Sequence, residues 1–236
     1  MTVEISKEFI NCLKKSHDIN ESLRICAGEE FIRTRQENKT SMMVSPIDVK
    51  FERDINIYAL REFISVLSIV DGPVLDLSKD SIVTVKSKDG KQKLRYIECD
   101  PNMVSSHSEK DPELKRVEMT IDITEEQFTS VVNAAKVMNL PYVGFDGDGV
   151  NINLVAFNRN DGDEQDTNSY SIEICESPTE DSFSMYFDLA INKPSVLLNE
   201  GSLEVSISSN PKAVKVETES GKTFFLAFSA KSKYGI

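Results

Sequence analysis

Histidine is almost absent from this 236-residue chain: the two that occur are His17, at a predicted helix end, and His107, in a polar connecting segment. Neither sits in a G-x-S-x-G or Cys-His arrangement, so no nucleophile and base are brought together by the sequence. Cysteine is nearly as sparse. Cys12, Cys26, Cys99 and Cys175 are widely spaced, without a C-x-x-C pair or a histidine cluster, so neither a zinc site nor a disulfide framework is indicated. They are expected to be reduced, mostly buried thiols. No apolar run reaches the roughly 18 residues a membrane-spanning helix needs, and MTVEISKEF lacks a basic n-region followed by an apolar stretch. The expectation is a protein that is neither secreted nor membrane-spanning. Nor does a G-x-x-x-x-G-K-[ST] or a G-x-G-x-x-G follow any predicted strand. Sequence therefore assigns no catalytic residue, no metal ligand and no cofactor.

Cations are also in short supply. With 27 basic against 39 acidic residues the net charge is -12, which excludes a protein that grips nucleic acid through its whole surface. A solvated acidic surface is the plain reading, and a local basic strip inside an acidic shell remains open to it. The 39% hydrophobic and 28% charged content is that of an ordinary globular protein, and the length suffices for one large domain or two of about 120 residues.

The stretch Asp54 to Val70, DINIYALREFISVLSIV, carries the clearest pattern. Ile55 and Ile57 alternate as in a half-buried strand, and Leu60, Phe63, Ile64 and Leu67 then fall on one helical face. Arg61, Ser65 and Ser68 make the opposite side short and polar, a surface suited to facing something large. Ahead of this stretch, Ser6 can cap a helix to about His17 with Phe9, Ile10 and Leu13 inward and Lys7, Asn11, Lys14 and Lys15 outward. Strands are predicted at Leu23 to Cys26, Phe31 to Arg35 and Met42 to Val44, and near Phe51 to Ile57. After the breaker Asp71-Gly72-Pro73, further strands read at Val74 to Leu77, Ile82 to Val85 and Leu94 to Ile97.

From Glu98 to Arg116 the periodicity lapses, and residues 98–116 read as an extended connector between a first domain, 1–97, and a second, 117–236. The order then repeats. A strand at Val117 to Ile123 leads to Thr124 and Gln127, spaced as a capping box, ahead of a helix burying Phe128, Val131, Val132 and Ala135. Strands follow at Tyr142 to Phe145 and Val150 to Phe157. The acidic run Asn158 to Ser169 resembles a calcium loop only loosely, its Gly and closing Glu being misplaced, and reads as a solvated loop. Strands at Tyr170 to Glu176 and Phe183 to Phe187 lead to a short predicted helix, Asp188 to Leu198, three closing strands and a loose tail, KSKYGI. The fold class is α+β with a duplicated plan of two helices packed on antiparallel sheets per domain, a repeat of element order rather than of residues.

Each predicted helix exposes a cation: Lys7, Lys14 and Lys15 on the first, Arg61 on the second, Lys136 on the third and Lys193 on the fourth. Lysines on helices are common in any acidic protein. A shared surface of weakly basic helices is the alternative, one that would touch phosphates without reading bases.

The segments ISKEFINCLKKSHDINESLRICAGEEFIRTRQENKT, FERDINIYALREFISVLSIV, CDPNMV, TEEQFTSVVNAAKVMNLPYVGF, LVAFNRN and SFSMYFDLAINKPSVLL resemble, in order and spacing, the DNA polymerase sliding clamp of T-even-like bacteriophages. The resemblance covers nearly the whole chain and rests on co-linear patterns of apolar and small residues. It implies a closed ring, a homotrimer of two-domain subunits with helices lining the hole and sheets outside. Such a ring holds double-stranded DNA by encirclement without reading sequence, is opened by an ATP-driven clamp loader, tethers the replicative DNA polymerase and supports phage late transcription, in the cytoplasm of an infected bacterial host. Under it, Lys7, Lys14, Lys15, Arg61, Lys136 and Lys193 face the hole, and a partner peptide would enter a pocket near Met103 and Val104. The acidic Asn158 to Ser169 run and the few cations on the last two helices depart from the pattern. Competing readings are a non-catalytic virion or interaction protein with a duplicated α+β fold, and a hydrolase with a cryptic acidic site.

Overall fold

The computed structural model describes residues 2–158 and 168–235 and divides into two compact units, Met1–Asp111 and Pro112–Ile236. The acidic run expected to form a solvated loop lies, but for its ends, outside the described residues. In the first unit the elements run β1 (Thr2–Glu4), α1 (Lys7–Ile19), β2 (Leu23–Ile25), β3 (Phe31–Arg35), β4 (Ser41–Pro46), β5 (Ile55–Ile57), α2 (Leu60–Ile69), β6 (Val74–Lys79), β7 (Ile82–Lys86) and β8 (Lys93–Ile97). The second runs β9 (Met119–Ile123), α3 (Glu125–Met138), β10 (Tyr142–Asp148), β11 (Asn151–Phe157), β12 (Ser169–Glu176), β13 (Ser182–Asp188), β14 (Leu203–Ser209), β15 (Lys212–Thr218), β16 (Thr223–Ala227) and β17 (Lys233–Tyr234).

The duplication is one of connectivity. In each unit the first strand pairs antiparallel with the strand that follows the second helical segment, β1 with β6 and β9 with β14, and two hairpins extend that sheet, through β7 to β8 and through β15 to β16. A second sheet pairs β2 with β5 in the first unit, and β10 with β13 in the second, where it continues as β12-β11-β10-β13-β17. Non-local antiparallel pairing of this kind lets one core per unit form between sheet and helix. The first core gathers Phe9, Leu13, Leu23, Ile25, Ile55, Ile57, Leu60, Phe63, Leu67, Leu75 and Val85.

Local chemistry sets the helix starts. Ser6 in extended backbone accepts from the Phe9 amide at 2.9 Å and begins α1. Thr124 and Gln127 form the reciprocal capping box expected of them, and Asn139 ends α3 in the left-handed conformation. The second helical segment of the second unit is a correction to the sequence reading: in place of a helix over Asp188–Leu198 there is a four-residue 3-10 turn, Pro194–Leu197. Asp188 diverts the chain, its carboxylate accepting from the Ala190 amide at 3.0 Å and its carbonyl from Asn192 at 2.8 Å. Lys193 precedes a proline, which disfavours helical backbone there. The tail is likewise not loose, because Lys233 and Tyr234 pair with Ser184 and Phe183, and the Phe183 and Tyr234 rings stack with centroids 5.6 Å apart.

Gly144, at the middle of β10, has no room for a side chain: a Cβ there would stand 2.3 Å from the Met185 carbonyl oxygen and 2.4 Å from the Tyr186 Cα. Both obstacles are backbone of the neighbouring strand, so relief requires the ladder to part. Gly144→Ala is therefore expected to destabilise the second unit by about 1–3 kcal/mol, read as a lowered urea midpoint, with an unchanged midpoint counting against the close approach.

Candidate nucleic-acid interface

In each unit the candidate interface is the exposed face of its own helices. On α1, Lys7, Asn11, Lys14 and Asp18 form one solvent stripe, while Phe9, Cys12, Leu13, Ser16 and Ile19 are buried on the other side. Lys15 sits half-buried at the shoulder of that stripe. α2 packs beside α1, buries Leu60, Phe63 and Leu67, and exposes Arg61, Glu62, Ser65 and Ser68. The Ser65 hydroxyl donates to the Arg61 carbonyl at 2.9 Å and that of Ser68 to the Ile64 carbonyl at 2.8 Å. The outer face of α2 is thus low and has its hydroxyl protons already placed. In the other unit, α3 exposes Asn133, Lys136 and Val137 and buries Phe128, Val131, Val132 and Ala135. Lys136 lies in the last turn, where a cation meets the negative end of the helix dipole.

Four of these cations are free of internal neutralisation among the described residues, as are Lys79, Lys93 and Arg95 on the strands. Among the described residues none of Lys7, Lys14, Arg61 and Lys136 makes an ion pair. Many cations on strands and turns are occupied instead: Arg24 with Asp54 at 2.5 Å, Arg33 with Asp111 at 2.7 Å and Glu29 at 3.2 Å, Lys86 with Asp76 at 2.6 Å, and Lys222 with Glu200 at 2.7 Å. Arg53 pairs with Glu98 at 2.7 Å, a carboxylate whose side chain is 4% exposed, and also donates to the Asp54 carbonyl at 2.8 Å. Part of the charge on strands and turns is neutralised internally, while Lys7, Lys14, Arg61 and Lys136 stay open to an external anion. Periodicity alone could not make this distinction, since Arg24 and Lys14 read alike in sequence. Lys193 is exposed as predicted, but beside a turn rather than on a helix.

Met103 and Val104, the predicted partner contacts, divide. Met103 ends a 3-10 turn, Pro101–Met103, and is 52% exposed, whereas Val104 is buried at 9%. The segment around them is not simply extended. Asp100 caps the turn by accepting from the Asn102 amide at 2.8 Å, Ser105 bonds Glu37 at 3.0 Å and Ser22 at 3.2 Å, and the Arg35 amide donates to the Ser106 carbonyl at 3.0 Å. The first unit accordingly extends to Asp111, taking in most of the segment read as a connector.

Among the described residues, the closest approach to nucleophile chemistry is Cys26 Sγ, 3.9 Å from His107 Nδ1. Burial pushes the Cys26 thiol up and the His107 imidazole down, so at neutral pH the pair is thiol and imidazole rather than thiolate and imidazolium. Beside it, Asp54 is held below the ordinary carboxylate range by its hydrogen bonds from Arg24 and the Ala27 amide. Because the folded value is depressed, the stability Asp54 contributes is complete above the unfolded value near 3.8 and is lost as pH falls through the folded one. Asp54→Asn should therefore lower the thermal midpoint at pH 7, with the gap from the native protein closing below about pH 4; a gap that persisted in acid would remove the carboxylate from the account.

Among solved structures, the chain is similar to the Proliferating Cellular Nuclear Antigen of Entamoeba histolytica, with a TM-score of 0.71 and 13% identity over 97% of this chain and 98% of that one. It is similar too to the PCNA2-PCNA3 complex of Sulfolobus tokodaii, with a TM-score of 0.61 and 13% identity over 98% and 100% of the two chains. The DNA polymerase III subunit beta of Pseudomonas aeruginosa matches with a TM-score of 0.66 and 10% identity over 97% of this chain, which spans 64% of that subunit. No protein-family model and no curated protein matches the sequence. The chain has the sliding-clamp fold, α+β with antiparallel sheets and few helices.

Proposed function

We propose that the protein is a sliding clamp, which encircles duplex DNA as a homotrimeric ring and tethers a replicative DNA polymerase without doing chemistry itself. The observation that carries this reading is the set of unpaired cations Lys7, Lys14, Arg61 and Lys136 on the helices of an otherwise acidic chain with a duplicated clamp fold. Lysine and arginine on a helix face attract phosphate oxygens at any sequence. Encirclement reconciles that weak attraction with a net charge of -12, because a closed ring needs no tight contact to stay on its track. A clamp loader driven by ATP would open the ring. The resemblance to T-even-like phage clamps extends the proposal to late transcription in the infected bacterial cytoplasm and to a partner peptide contacting the neighbourhood of exposed Met103.

The deciding experiment is primer extension on a long template by a matched polymerase and loader, with and without the protein. Longer products per binding event are expected. Unchanged product length with a competent polymerase and loader would favour the interaction-protein alternative.

A further inference from the structure

Beyond the 3-10 turn that ends at Met103, the chain lies strapped onto the first unit as far as Asp111. Val104 is buried. The Ser105 amide donates to the Ser22 hydroxyl at 3.2 Å, and its hydroxyl accepts from the Asn20 side chain at 3.3 Å and donates to Glu37 at 3.0 Å. Ser106 is fully buried, with its carbonyl accepting from the Arg35 amide at 3.0 Å. The Asp111 carboxylate accepts from Arg33 at 2.7 Å. Midway, half-buried His107 holds Nδ1 3.9 Å from the thiol of Cys26, just past β2. Of these contacts, only that of His107 involves a group that gains a proton near neutral pH.

We propose that residues 104–111 form a strap that a proton on His107 releases from the first unit. The inference goes beyond the clamp reading and does not depend on it. Release uncovers the Arg35 amide, Ser22 and Asn20, which the closed strap occupies.

A thiol has one proton to give, and a neutral imidazole with a free nitrogen accepts it. Cys26 stays a thiol at neutral pH, its ionisation opposed by burial and by Asp54 and Glu29. Once protonated, the imidazole carries a hydrogen on both nitrogens, so the thiol proton loses its acceptor and a charge stands in a half-buried place. Arg24 on β2 and Arg33 on β3 oppose that charge, while Asp54 and Glu109 favour it. Asp54 is already engaged, one oxygen by two bonds from Arg24 and the other by the Ala27 amide. Glu109 is exposed, where solvent and salt weaken its pull. Burial and Arg24 prevail and hold the imidazole below its ordinary value of 6.5. Because the folded value is depressed, closure is complete above about 6.5 and weakens as pH falls through the folded value.

The test labels the full chain with a pyridyl disulfide between about pH 7.5 and 5.5, reading each cysteine by peptide mass spectrometry. Every thiol slows as its thiolate fraction falls, so the quantity read is the Cys26 rate divided by that of Cys175, another half-buried thiol held above its ordinary value, in the second unit. Acidification is expected to raise this ratio by about fivefold or more, with far-ultraviolet circular dichroism unchanged. His107→Gln, which does not titrate, is expected to keep the ratio flat. Glu109→Gln removes an attraction for the imidazolium and is expected to move the rise to lower pH. A flat ratio in the native chain, an equal rise in His107→Gln, or a dichroism loss in step with labelling overturns the proposal. Should His107→Gln fail to fold, Glu109→Gln decides alone, and a rise that stays in place or moves to higher pH overturns the trigger.

Discussion

Reversing Lys7, Lys14, Arg61 and Lys136 to glutamate in one chain is expected to reduce loading onto primed DNA by about tenfold or more at physiological salt, with the fold intact. On the function proposed above, each lost phosphate contact removes roughly 0.9 from the slope of log affinity against log salt, so a shallower salt dependence is expected with the variant. All four side chains are exposed, so the stability cost is small; the largest share falls at Lys136, where a glutamate would oppose the helix dipole by about 0.3–1 kcal/mol. The control is an equal reversal at Lys39, Lys50, Lys79 and Lys91, exposed cations away from the helices. Both sets change net charge identically. Equal losses from the two would assign the effect to overall repulsion and withdraw the helix face as the site.

Phe63→Ala is expected to destabilise the first unit by about 3–5 kcal/mol. The ring is fully buried on α2 and meets Tyr96 of β8 edge to face, with centroids 5.0 Å apart. Its removal leaves a cavity between helix and sheet that neither can close without moving α2 against α1. Leu67→Ala, on the same face and also fully buried, supplies the comparison: a cost of about 2–5 kcal/mol is expected from the lost burial and cavity alone. A Phe63→Ala midpoint close to that of an exposed α2 variant such as Ser65→Ala would deny the ring its place as the link between the two layers.

How much of this was legible in the sequence depends on where the deciding interactions lie. Helix starts at Ser6 and Thr124 were legible because a cap is a contact between residues three apart. Alternation placed β3, β7 and β12 closely, since one face of each is more buried than the other. Alternation predicts a half-buried strand at Ile55 to Ile57, but all three residues are buried, Asn56 included, with the Glu98 carboxylate accepting from the Asn56 amide at 3.1 Å. That partner is 42 residues away, beyond any local pattern. β1 and β17 were missed for the same reason, as strands of three and two residues whose only support is a distant neighbour. The cations of the helix face were legible one at a time, but their unpaired state was not, because neutralisation by Asp76 or Asp111 is decided by tertiary approach. Sheet ends were wholly invisible until the ladder order was known.

The hydroxyls of Ser65 and Ser68 turn back onto their own helix, and that small economy bears on motion. A side chain that donates outward fixes a preferred distance and angle to whatever passes, and a repeating polyanion would then offer a row of equally spaced wells separated by barriers. Here each hydroxyl proton is already committed to a carbonyl one turn earlier, so α2 contributes Arg61 as an adjustable charge and otherwise a smooth, hydrated surface. In the DNA-encircling ring proposed above, this would lower the corrugation of the energy along the track: attraction would hold the partner near while few contacts need breaking before the next step. Replacing both serines with asparagine would roughen that surface, trading mobility for grip.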